Sequence, residues 1–79
     1  MRKITEVEAI IEHRRRRLGM TIKEVALASV GAVSTWYIRM DDPLTFRHLE
    51  TQRLFNHMSF TPEMQNQFNR AMRELGEKA

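Results

Sequence analysis

Apolar residues recur along this chain at the spacing of helices, and no stretch alternates with period two for long enough to form a strand. Val7, Ile10, Ile11 and Leu18 fall on one helical stripe. Thr5-x-x-Glu8 offers a capping box to start that helix and Gly19 a residue to stop it. Arg14 sits in the same stripe, so its aliphatic stem should pack while the guanidinium reaches an edge.

The stretch from Leu18 to Asp41 organises the rest. Thr21 with Glu24 makes a second capping box, and Val25 to Ala28 give a small-residue helix that a neighbour can approach closely. Ser29-Val30-Gly31-Ala32 interrupts the pattern, with Gly31 able to take the positive φ of a sharp turn. Ser34 is the next N-cap candidate, and Thr35 to Asp41 follow as a helix. Two capped helices joined by a tight glycine-containing turn form a helix-turn-helix unit.

Asp41-Asp42-Pro43 breaks the chain again, because proline disfavours helix at the residue before it. Thr45 is expected to cap a helix reaching about His57, with Phe46, Leu49, Leu54, Phe55 and Met58 fitting a stripe roughly. The last helix has Thr61 as N-cap, Pro62 in its first turn and Gly76 just past its end. Met64, Phe68, Ala71, Met72 and Leu75 mark its apolar face. The expectation is an all-α, compact five-helix domain spanning residues 1–79, with no repeat and no dividing linker.

Charge adds a direction to this plan. Residues 1–23 carry seven Lys/Arg against three Glu, whereas the remainder is nearly balanced. A basic front of this kind suits a polyanion such as nucleic acid. The run Arg14, Arg15, Arg16, Arg17 also complements the dipole at a helix C-terminus, so its two roles stay open side by side. With no cysteine there is no disulfide or thiolate metal site, which fits a reducing cytoplasm. Val25–Val33 is too short to span a membrane and lies inside a capped pattern, so it is not read as a signal-peptide core. A chain this small buries only about 60–65% of its unfolded surface, so packed helices or a dimer interface must supply its stability.

Three segments give the chain a family likeness. Arg14 to Ala26 reads Arg-x-x-x-Leu-Gly-Met-Thr-Ile-Lys-Glu-Val-Ala, Ala32 to Ile38 reads Ala-Val-Ser-x-x-x-Ile, and Leu54 to Glu63 reads Leu-Phe-x-x-Met-Ser-Phe-Thr-Pro-Glu. In these the chain resembles the Cro/CI-like (XRE-type) helix-turn-helix repressors of phages and bacteria. In that family an alanine of the second helix lies six residues before the cap of the third. A cap at Ser34 then calls for Ala28, with Leu27 and Ile38 as core partners, and needs no insertion. The Thr-x-x-Glu-Val-Ala start nominates Ala26 instead, with a turn two residues longer. Gly31 falls one position early, Ala32 stands where glycine is usual, and Asp41-Asp42 places two acids near the end of the third helix.

The resemblance implies a phage- or prophage-type transcriptional regulator, a repressor that binds double-stranded operator DNA as a homodimer in the cytoplasm. With Ser34 as cap, Ser34, Thr35, Trp36 and Arg39 are the candidate base contacts. Trp36 could equally fill the core, and Tyr37 is expected to pack. Arg14, Arg15, Arg16, Arg17 and Lys23, with the backbone at Thr21 and Ile22, are the candidate phosphate contacts. Met64, Phe68, Met72 and Leu75 form either a dimer interface or the closing face of the monomer's own core. His13, His48 and His57 lack metal-ligand spacing, and no nucleophile or phosphate loop is visible. No metal, cofactor, small-molecule ligand or enzymatic activity is expected. Two rivals keep the same fold: a protein-binding module, such as a phage inhibitor of a host factor or an antitoxin, and a nucleoid-type binder without sequence preference.

Overall fold

Three threonines start three of the helices. In the computed structural model, which describes residues 4–78, Thr5 Oγ1 accepts from the Glu8 N–H at 3.1 Å, and Thr21 Oγ1 does the same for Glu24 at 3.1 Å. Thr61 Oγ1 accepts from Met64 at 3.2 Å. These caps open α1 (Glu6–Arg17), α2 (Ile22–Ser29) and α5 (Pro62–Lys78). Between them lie α3 (Val33–Asp41), a single 3₁₀ turn (Pro43–Thr45) and α4 (His48–His57). The described residues form an all-α domain. Arg2 and Lys3, part of the basic front, lie outside them.

Two helix ends share one device. After α1 the chain turns through Gly19 at φ +68°, with Gly19 N–H bonded to Arg16 O and Met20 N–H to Arg15 O. After α4 it turns through Ser59 at φ +52°, with Phe60 N–H bonded to Phe55 O at 3.0 Å. Both are Schellman-type stops. Arg14 reinforces the second, its Nε donating to Met58 O at 3.0 Å and its Nη2 to Ser59 O at 3.1 Å. The stem packs and the head reaches an edge, as its place in the stripe predicts.

Helix α2 is the hub, packed on both α4 and α3, while α1 lies against α5 and the 3₁₀ turn bridges α3 to α5. Val25 and Ala26 are fully buried there. Phe55 stacks on Phe60 (ring centroids 5.0 Å apart) and meets Phe68 edge-on at 5.1 Å, and Trp36 meets Phe46 edge-on at 6.4 Å. The Cα radius of gyration, 11.6 Å, equals the ~12 Å of one packed domain of this length.

Several sequence expectations need correction. Thr45 does not cap a helix: its hydroxyl donates to Asp42 O at 2.6 Å and closes the 3₁₀ turn, and α4 starts three residues later. Leu49 is exposed, while Glu50 is buried on the inner side of α4. Gly76 does not end α5, which runs on to Lys78. The packed alanine of α2 is Ala26, not Ala28, and Leu27 and Ile38 are exposed rather than core partners.

Candidate nucleic-acid interface

The register of α3 decides what the domain presents to a partner. Gly31 turns the chain at φ +89°, and the next residue, Ala32, already has extended backbone and serves as N-cap. Ala32 has no side chain to cap with, and the helix begins two residues earlier than a Ser34 cap would set. The buried Ala26 lies six residues before the cap at Ala32.

This register sorts α3 into two faces. Trp36 and Met40, one turn apart, are buried, and half-buried Val33 packs on the same core. Ser34, Tyr37, Ile38 and Asp41 recur at i, i+3, i+4 and i+7, and all four are exposed. Tyr37 and Ile38 each keep 57% of their surface open. The outward face is therefore one hydroxyl, one phenol, one aliphatic side chain and one carboxylate.

Two of the expected base contacts are not on it. Trp36, 1% exposed, sits in the core and cannot reach a base edge. Arg39 turns to α4, where its Nε donates to Glu50 Oε1 at 2.9 Å and its Nη2 to Oε2 at 3.4 Å. The Arg47 backbone N–H also donates to Glu50 Oε1 at 2.9 Å, so one carboxylate caps α4 and ties α3 to it. Burial works to raise the Glu50 pKa, but the bonds from Arg39 and Arg47 overcome it and hold the carboxyl below its ordinary value. Of the remaining pair, Ser34 is exposed and Thr35 half-buried. Tyr37 and Ile38 take the outward places, Tyr37 against the expectation that it packs.

The basic run divides likewise. Arg14 is committed to the end of α4. Arg15 forks onto Glu12 at 2.7 and 3.0 Å and donates to Met20 O at 2.8 Å, which locks the α1–α2 turn. Its bond to Glu12 raises the Arg15 pKa, and the Tyr37 phenol of α3 is close enough to add to the effect. Arg15 thus ties the C-terminal turn of α1 to Met20 just before α2. Arg16 and Arg17 are exposed there, with Arg16 only 4.0 Å from Glu12 in a loose pair, and Thr21 and Lys23 are exposed at the start of α2, where Ile22 is half-buried. These exposed cations, unlike Arg14 and Arg15, have heads able to turn toward a phosphate.

The expected dimer stripe faces inward. Phe68 is 1% exposed in the monomer's aromatic cluster, and Met64, Met72 and Leu75 are half-buried against the same core. Phe68 therefore closes the core rather than a subunit interface. What α5 leaves open is the edge at Leu75, which with Ile4 and Ala71 lines a shallow groove of about 290 Å³. Among the described residues no cluster of His, Cys, Asp or Glu is placed to hold a metal ion, and no helix is long and apolar enough to cross a membrane. Comparison of the chain with protein-family models, curated proteins and solved structures gives no match.

Proposed function

We propose that this domain is a sequence-specific DNA-binding transcriptional regulator that lays α3 in the major groove of an operator. The observation that carries this reading is the placement of α3: Trp36 and Met40 anchor one face while Ser34, Tyr37 and Ile38 stand out on the other. An α-helix fits the width of a major groove, and the exposed Arg16, Arg17 and Lys23 would position the duplex without choosing its sequence. Promoter occlusion in a phage-type repressor is the regulatory role that fits. Pairing of two copies, with α5 edges near Leu75 and Ile4 in contact, would serve half-sites about 34–36 Å apart.

Selection from a random duplex pool, with sequencing of the retained fraction, tests the reading. Enrichment of an inverted repeat supports a paired, sequence-specific regulator. Retention without sequence preference makes the protein a nucleoid-type binder, and no retention removes DNA altogether. A second reading, a protein-contact module, draws on the large apolar side chains of Leu27, Tyr37 and Ile38 that stand open to solvent. A folded protein that retains no duplex would favour it.

A further inference from the structure

Each base pair asks for a different chemistry in the major groove. Guanine is read by a forked donor such as arginine, adenine by an amide that both donates and accepts, and thymine by apolar contact with its C5-methyl group. The outward face of α3 carries no amide, and its one arginine is bound to Glu50 on the inner side. At the centre of the face stand Tyr37 and Ile38, adjacent in sequence and equally open at 57%. Of these three base signals, the thymine methyl is the one these two side chains match.

Resting on the DNA-binding reading above, we infer that Ile38 and Tyr37 specify thymine through its C5-methyl group, so that the operator is chosen by apolar contact rather than by forked hydrogen bonds. Ile38 supplies a methyl-bearing branch on the exposed face of α3. Tyr37 lays an exposed ring beside it. The ring then covers a second methyl, or the sugar next to it, while the phenol end stays wet. Ser34, one turn earlier, adds a hydroxyl that bonds to any base or to a phosphate and so contributes little choice.

The test uses the full chain and duplexes enriched from the random pool, resynthesised with deoxyuridine in place of thymidine. Uracil keeps every hydrogen-bonding group of thymine and lacks only the methyl. Affinity should fall by about fourfold for each methyl that the protein covers, the burial value of one methyl-sized group. Single replacements should confine the loss to a few neighbouring positions in each half-site. Ile38→Ala, at a site outside the core, should stay folded by circular dichroism and bind the thymine and uracil versions of the Ile38-contacted position alike.

Three results overturn the inference. Equal affinity for thymine and uracil duplexes, in a protein that still enriches one sequence, leaves α3 in the groove and removes methyl readout. A small loss spread evenly over all positions points to altered groove hydration and removes it too. Failure to enrich any sequence removes both this inference and the function on which it rests.

Discussion

Replacing Glu50 with glutamine keeps the length of the side chain and removes its charge, whereas Glu50→Ala removes both. In the folded protein the Glu50 carboxylate receives Arg39 Nε and the Arg47 N–H, each at 2.9 Å, and only 9% of the residue is exposed. The Arg39 side chain is itself only 15% exposed, so without its partner it keeps a poorly hydrated charge. A hydrogen bond to a charged group contributes about 1.5–3 kcal/mol, and a helix cap about 1. Alanine should therefore cost about 2–4 kcal/mol, and glutamine, which still accepts from Arg47, about 1–2. A domain of this size has only about 4–12 kcal/mol in all, so glutamine should lower Tm by about 4–15 °C.

Acid offers an independent reading of the same pair. The folded Glu50 pKa lies below its ordinary 4.5, so its contribution is complete above that value and is lost as pH falls through the depressed one. Glu12, held down chiefly by its bond to Arg15, acts in the same window and direction. Urea unfolding followed by circular dichroism at neutral pH and at steps below pH 4.5 measures both effects. Glu50→Gln should flatten the acid slope without abolishing it, since Glu12 remains. A glutamine variant within about 0.5 kcal/mol of the parent at neutral pH, with an unchanged acid slope, would show that the pair adds nothing beyond surface background.

Other substitutions separate structural cations from those that the proposed DNA binding would use. Arg14→Ala should lower stability by about 1–2 kcal/mol by removing the bonds to Met58 O and Ser59 O, and Arg14→Lys should not restore it, because an ammonium cannot make the same fork; a lysine variant of parental stability in urea would refute the forked role. Ser59→Gly should stabilise by about 1 kcal/mol, since φ +52° strains a side chain but not glycine; an unchanged urea midpoint would contradict that strain. Arg16→Ala with Arg17→Ala should leave the fold intact and reduce the log–log salt slope of DNA binding by about one for each phosphate no longer neutralised; a slope equal to the parent's would assign these two cations to the helix dipole alone.

Much of this architecture was legible in the chain because its determinants are local. A threonine three residues before a glutamate caps a helix whatever surrounds it, so Thr5 and Thr21 announced their helices, and Thr61 did so with Pro62. Gly19 and Gly31 announced their turns for the same reason: both lie at positive φ. The partner of Arg39 was not legible. Glu50 is eleven residues away on another helix and looks, in sequence, like a polar interruption of the α4 stripe. Only the packing of α3 on its neighbours turns that interruption inward.

The misplaced cap had the largest functional consequence, and its cause is physical. Ser34 has the side chain an N-cap prefers, but a cap also needs extended backbone, and Gly31 delivers the chain in that state at Ala32. Forgoing the side-chain bond at Ala32 costs about 1 kcal/mol, and it lets Trp36 bury completely, which contributes more. The shift of the start by two residues changes which residues occupy its first turn; the inward face is then fixed by Trp36 with Met40, one turn on. A helix advances about 100° per residue, so an outward face assigned around Trp36 and Arg39 lies largely opposite one centred on Tyr37 and Ile38. Burial of the largest side chain on α3 therefore outweighs the better cap, and in doing so replaces an indole and a guanidinium with a phenol and an aliphatic branch as the groups a partner meets.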